Sequence, residues 1–377
     1  MIESWDDFGM DTGVLRGIYS IGFEKPSPIQ SKAIKPMMDG KDLLAQAQSG
    51  TGKTGAFSIG TLNRIDTSKN TIQAVILSPT RELSQQSYDV ISSLSSFMDN
   101  LKLQLLVGGT SVMTDIEQLT EQTPHIVVGC PGRTFDMIKR GHLVTKELKI
   151  IVIDEADELL SSGFKEQIYN IFQYLSSSTQ VCLFSASMPP EVEHLTEKFM
   201  VEPEKILVKS ELLTLEGIEQ YHVALDNDGD KFDCLKDLYA SLSVSQSIIY
   251  CNSIKRVDDL YDAMMNDSFA VSKLHGNMEK EERTTAYENF KNGKSRILIS
   301  SNVTARGIDI QQVSTVINFD LPKSVHTYLH RIGRSGRWGR KGVGINFVTR
   351  FDLAQLKAIE QFYHTKIEEL PASFVQT

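Results

Sequence analysis

Apolar runs without polar alternation recur along the chain: Ala74-Val75-Ile76-Leu77, Ile126-Val127-Val128, Ile150-Ile151-Val152-Ile153 and Val181-Cys182-Leu183-Phe184. Each ends at a small or polar residue. Between them lie stretches whose apolar positions have helical spacing, such as 82–97 and 164–175. Uninterrupted apolar strands separated by helices predict a parallel sheet covered on both faces. The same texture resumes at 247–250, 296–299 and 313–319, after a polar-rich stretch at 208–217. A chain of 377 residues exceeds what one core ordinarily organises. The expectation is therefore two α/β domains, residues 1–208 and 217–377, each a parallel sheet flanked by helices, joined by a linker at 209–216.

Candidate chemistry sharpens this picture. Residues 47–54 read Ala-Gln-Ser-Gly-Thr-Gly-Lys-Thr, after the apolar run Leu43-Leu44-Ala45 and before a helical stretch. Strand, Gly-rich turn and Gly-Lys-Thr form a phosphate-binding loop. The backbone N–H groups of Ser49, Gly50, Thr51 and Gly52 would surround phosphate oxygens at a helix N-terminus. Lys53 would reach the β- and γ-phosphates, and the Thr54 hydroxyl would ligate Mg²⁺. Ala47 stands where the stricter pattern has Gly. The alternative is a Gly-rich turn that binds nothing.

Ligands of such sheets bind beyond the strand C-termini. There, Asp154-Glu155-Ala156-Asp157 follows the strand 150–153. Asp154 is the candidate metal carboxylate, and Glu155 the candidate general base for an attacking water. Taken alone, these acids could equally cap the following helix. The second half carries Arg331, Arg334, Arg337, Arg340 and Lys341 within eleven positions, interrupted by Gly333, Gly336 and Gly339. A plain surface helix would avoid those glycines. Arginines on a Gly-bearing segment suit an arginine finger, which stabilises charge on a transferred phosphoryl.

The net charge is −9, from 39 basic and 48 acidic residues. Bulk electrostatic grip on nucleic acid calls for a basic protein, so any such binding must be local. The four cysteines are scattered, with no C-x-x-C pair, which argues against zinc and for a reducing compartment. No apolar run approaches a membrane span, and the acidic N-terminus does not read as a signal peptide.

The set 22–30, 47–54, Pro79-Thr80-Arg81-Glu82-Leu83, Gly108-Gly109, Pro131-Gly132-Arg133, 154–157, Ser185-Ala186-Ser187, 305–309 and 330–337 resembles the DEAD-box RNA helicases in order and spacing. Within that family the chain looks most like the compact translation-initiation branch and a splicing-associated paralogue. The resemblance implies two tandem RecA-like domains, ATP and Mg²⁺ as cofactors, and a cytoplasmic location (nuclear for the splicing type). It further implies a monomer that binds single-stranded or short duplex RNA without sequence preference, and a protein scaffold bridging both domains.

It also implies roles for individual residues. Gln30 would read adenine, though it could instead cap a turn. Phe23 and Trp5 would lie near the base, though Trp5 is equally a packing residue. Asp309 would hold the ribose, and Arg334 and Arg337 would be the fingers. Ser185 and Ser187 would link nucleotide state to RNA through Asp157 and His330. RNA contacts would come from Pro79, Thr80, Arg81, Gly109, Gly132, Arg133, Arg283 and Ser301, a set suited to sugar and phosphate. Cys130, Asn277, Lys280 and Asn302 depart from the usual pattern at RNA-facing positions. The rival within the family is an ATP-gated RNA clamp; a phosphate-loop kinase for small molecules would leave the arginine segment unexplained. Arg334→Ala is expected to lower ATP turnover by roughly 10³-fold while ATP affinity changes little. Steady-state ATPase alongside nucleotide binding measures this, and an equal loss in both argues against a finger.

Overall fold

The computed structural model describes residues 2–47, 51–161, 163–207, 218–241, 246–302, 313–333, 335 and 342–371. The chain divides into two units, Met1–Val208 and Lys209–Thr377, each packed chiefly on itself. The expected linker, 209–216, lies outside the described residues.

In the first unit the strands are β1 (Leu43–Gln46), β2 (Ala74–Leu77), β3 (Leu103–Leu106), β4 (Ile126–Gly129), β5 (Ile150–Ile153), β6 (Gln180–Ser185) and β7 (Glu204–Leu207). They form a sheet in the order β3-β4-β2-β5-β6-β1-β7, with every described pairing parallel. Successive residues of the central strands enter opposite cores: Ala74, Ile76, Ile150 and Val152 one, Val75, Leu77, Ile151 and Ile153 the other. Burial on both faces removes the alternation that an open sheet would show.

The second unit repeats the plan. Its strands are β8 (Ile218–Ala224), β9 (Ser247–Tyr250), β10 (Val271–Leu274), β11 (Ile297–Ser300), β12 (Thr315–Asn318), β13 (Gly342–Val348) and β14 (Glu368–Glu369). Their order is β10-β11-β9-β12-β13-β8-β14, again parallel. Two seven-stranded parallel sheets flanked by helices realise the tandem architecture expected from the sequence.

Local chemistry fixes where the elements begin. Ser27 caps the helix Pro28–Met38 in a capping box with Gln30, and Pro28 occupies its first turn. Thr80 caps the helix Arg81–Leu94 through the N–H of Leu83. That helix ends three residues earlier than its apolar spacing suggested, and Phe97 lies beyond it, exposed under the Arg16 guanidinium. Gly17, in the helix Thr12–Ser20, lets that helix meet Arg81–Leu94 backbone to backbone. A Cβ there would stand 2.7 Å from the Leu94 carbonyl carbon. Gly17→Ala is therefore expected to destabilise the protein by about 1–3 kcal/mol, the usual cost of overpacking. An unchanged midpoint in denaturant unfolding would contradict that contact.

Candidate active site

The carboxyl edge of the first sheet is held by a ladder that continues past the strands. Asp154 N–H donates to Leu77 O at 2.9 Å, and Ala47 N–H donates to Ser185 O at 3.0 Å. Cys130 N–H donates to Leu106 O at 3.0 Å. The loops that leave this edge carry the expected chemistry.

Gly52 precedes the helix Lys53–Leu62 with φ +98°, a left-handed backbone that favours glycine. Gly52 offers no side-chain cap, so the first turn presents its N–H groups outward. A Cβ at Gly52 would stand 2.8 Å from Gln30 Nε2 and from Ser27 Oγ. Gln30 is buried; its amide donates to Gly52 O at 3.2 Å, and its Oε1 accepts from Ser27 N–H at 2.8 Å. Gln30 thus ties the capping box to the phosphate loop. Phe23 is half-buried, and a Cβ on Gly55 would lie 3.3 Å from its ring. Trp5, expected either near the base or as a packing residue, packs in the interior. It is fully buried, donates its indole N–H to Phe23 O at 3.0 Å and stacks on Phe8 and Phe23. It supports Phe23 from behind.

Lys53 is buried, with Nζ 3.2 Å from Glu155 Oε1. Burial alone would lower the pKa of its ammonium, but the carboxylates of Glu155, Asp154 and Asp157 more than offset this and hold it above its ordinary value. Burial, and then the neighbouring Glu155 carboxylate, push Asp154 up to about 7. Asp154 Oδ1 accepts the Glu155 N–H at 3.0 Å. Glu155 has φ +49°, rare for a residue with a side chain, and its buried Oε2 has no partner among the described residues. Thr54 and Thr51 flank this group half-buried.

Asp157 belongs to the short helix Ala156–Ser161. Its N–H donates to Ser185 Oγ at 3.2 Å, and Ser187 Oγ donates to its carboxylate at 2.6 Å. Ser185 Oγ in turn donates to Ser187 O at 2.7 Å. Asp157, Ser185 and Ser187, the first-unit residues expected to couple nucleotide to RNA, are thus joined by hydrogen bonds, Ser187 through its hydroxyl. Pro79, Thr80 and Arg81 follow β2, Gly109 follows β3, and Gly132 and Arg133 follow β4, all leaving neighbouring strands. Arg133, expected at RNA, has its guanidinium paired with the buried carboxylate of Asp115.

In the second unit, Arg283 lies on the helix Lys280–Lys291, Ser301 directly after β11, and His330 on the helix Val325–Ile332. Ser49, Gly50, Asp309, Arg334 and Arg337 lie outside the described residues. Arg331, grouped with the phosphate-facing arginines in the sequence, is fully buried. It donates to the side chains of Asn302 (2.9 Å), Asn318 (3.0 Å) and Asn252 (2.8 Å) and to Asp320 O (2.7 Å). It also faces the Tyr250 ring at 5.2 Å. Its place in the basic run gave no sign of this, because burial leaves no mark on an arginine in the sequence. In the first unit, a recess of about 920 Å³ lined by Asp42, Gln180, Lys198 and Met200 opens at the amino end of the sheet, opposite the edge that carries the phosphate loop and Asp154.

A buried lysine, two carboxylates and an uncapped helix start define a phosphate-loop nucleotide site on a parallel α/β scaffold. Comparison with known proteins narrows the class. Residues 27–195 match the DEAD/DEAH box helicase family model, and residues 230–339 match the helicase conserved C-terminal domain. The chain is 51% identical over 372 residues to the ATP-dependent RNA helicase eIF4A of Saccharomyces cerevisiae (strain YJM789), covering 99% of this chain and 93% of that protein. It is 52% identical over 373 residues to eukaryotic initiation factor 4A of Caenorhabditis elegans, covering 99% and 92%. Among solved structures, S. cerevisiae Dbp5 bound to RNA and ADP BeF3 matches with TM-score 0.89 and 34% identity, covering 98% of this chain and 95% of that one. The chain belongs to the DEAD/DEAH box helicase family.

The raised Asp154 pKa has a consequence for stability. A carboxyl group that holds its proton more tightly in the folded chain than in the unfolded one favours folding at the acid end. That contribution is lost as pH rises from roughly 4, the unfolded value, to about 7. In metal-free protein, Asp154→Asn is expected to raise the melting temperature more at pH 8 than at pH 5. An equal shift at both pH values contradicts the burial of an ionisable group there.

Proposed function

We propose that this protein is an ATP-dependent RNA helicase of translation initiation, coupling RNA-stimulated ATP hydrolysis to the opening of short duplexes. The observation that carries the reading is the group Lys53, Asp154 and Glu155, joined through Asp157 to Ser185 and Ser187 on the same sheet edge as the RNA-facing loops. Full-length likeness to proteins named as eIF4A helicases supports it.

In this reading the N–H groups at the start of the helix Lys53–Leu62 receive phosphate oxygens, and Lys53 neutralises the terminal phosphates. The residues also fit Mg²⁺. Burial and the neighbouring Glu155 carboxylate hold a proton on Asp154 that a cation could replace, and the Thr54 hydroxyl stands on the adjoining helix. Bound with ATP, Mg²⁺ would neutralise charge along the phosphates. Glu155 would take a proton from water; its Oε2, buried with no described partner, supports that assignment. Phe23 and Gln30 are assigned to the adenine side, and Asp309, Arg334 and Arg337 to the nucleotide from the second unit, on the resemblance alone. A cytoplasmic location, a monomer and a bridging protein scaffold belong to the same proposal.

Steady-state ATPase with and without single-stranded RNA tests the reading. Stimulation by RNA and not by small metabolites is expected; turnover indifferent to RNA overturns it. Glu155→Gln is expected to keep ATP binding while cutting turnover by at least 10²-fold, in the range of a lost general base. Wild-type turnover would remove Glu155 from that role.

A further inference from the structure

We infer that Asp115 is a positioning residue for RNA: it clamps Arg133, which then acts inside the protein to hold the RNA-facing loops in shape. The inference rests on the RNA-helicase reading above and deepens it at one edge of the first unit.

Asp115 lies in the first turn of the helix Val112–Glu121 and is 4% exposed, deeply buried for a carboxylate. Its carboxylate pairs with Arg133 Nη1. Arg133 also donates to Thr110 Oγ1 at 3.1 Å and, through Nη2, to Thr110 O at 3.0 Å. Thr110 Oγ1 donates onward to Val107 O at 2.8 Å. From the sheet, Gln104 Nε2 donates to Asp115 O at 3.0 Å. One carboxylate and one guanidinium therefore bind the segment after β3 to the segment after β4. The planar fork of arginine suits this work, since it meets a carboxylate, a hydroxyl and a carbonyl at once.

Beside this clamp, Gly109 adopts φ +84°, and a Cβ there would lie 2.5 Å from Arg81 Nη1. The loops after β2, β3 and β4 are thereby packed against one another. Gly109 and Gly132 are the exposed members, and nothing stands within 4 Å of where a Gly132 Cβ would be. Such a surface offers backbone N–H groups to a phosphate chain, and backbone donors are useful only when the backbone is fixed. Asp115 fixes it without touching RNA.

Removing a carboxylate from an edge that meets a polyanion ordinarily tightens binding. A clamp predicts the reverse. For the full-length chain with Asp115→Asn, the concentration of single-stranded oligouridylate RNA giving half-maximal ATPase is expected to rise about tenfold, as when an orienting partner is lost. KM for ATP and kcat at saturating RNA should stay within about twofold of wild type. Asp115→Glu should recover part of the loss. Arg133→Lys, which keeps the charge and loses the fork, should weaken RNA affinity similarly; it serves as the second test should Asp115→Asn fold poorly. RNA affinity unchanged or tightened in Asp115→Asn overturns the inference, as does a parallel fall in kcat, ATP affinity and melting temperature. A wild-type enzyme that ignores RNA overturns the helicase reading itself, and this inference with it.

Discussion

The controlling constraint is the burial of charge at the end of a sheet that is apolar on both faces. Lys53 and Glu155 lie 3.2 Å apart in surroundings where either alone would be strongly disfavoured. Asp154, one residue along, already holds its proton unusually tightly. Three acids around one lysine leave the group rich in negative charge and in need of cations. A triphosphate arriving with its metal changes the balance on both sides at once. The surrounding parts serve to hold this group still. Leu77 anchors Asp154, Gly52 turns the loop, and Gln30 with Ser27 braces that turn from the neighbouring helix.

The second sheet solves the complementary problem, a buried cation. Arg331 is surrounded by amide oxygens and a backbone carbonyl, while the Asp320 carboxylate is shared between Lys231 and Arg256. The loops after β9, β11 and β12 are thereby gathered at one point. Asn302, one of the positions expected to depart from the resembling family's pattern, serves here as an acceptor: its amide oxygen takes two hydrogen bonds from the guanidinium.

The parallel sheets, the phosphate loop and the acid following β5 were legible in the sequence because each leaves a local pattern: an unbroken apolar run, a glycine spacing, a carboxylate at a strand end. The edge strands β7 and β14 were not, since Glu204 to Leu207 and Glu368-Glu369 carry mostly exposed residues. β3 was missed because its burial alternates. Side-chain fate was the least legible feature. Trp5, Arg133 and Arg331 all have the composition of ligand contacts, and all are occupied within the protein. What decides between the two is a partner distant in sequence: Phe23 for Trp5, Asp115 for Arg133, and three asparagines for Arg331.

The seat of Trp5 has a practical corollary. The chain has two tryptophans, and this one is sealed from solvent beneath Phe23, on the side assigned to the purine. An indole so enclosed emits in the blue part of its range and is shielded from collisional quenchers. Its emission is a label-free optical reporter of the Phe23 corner, already built into the unmodified polypeptide.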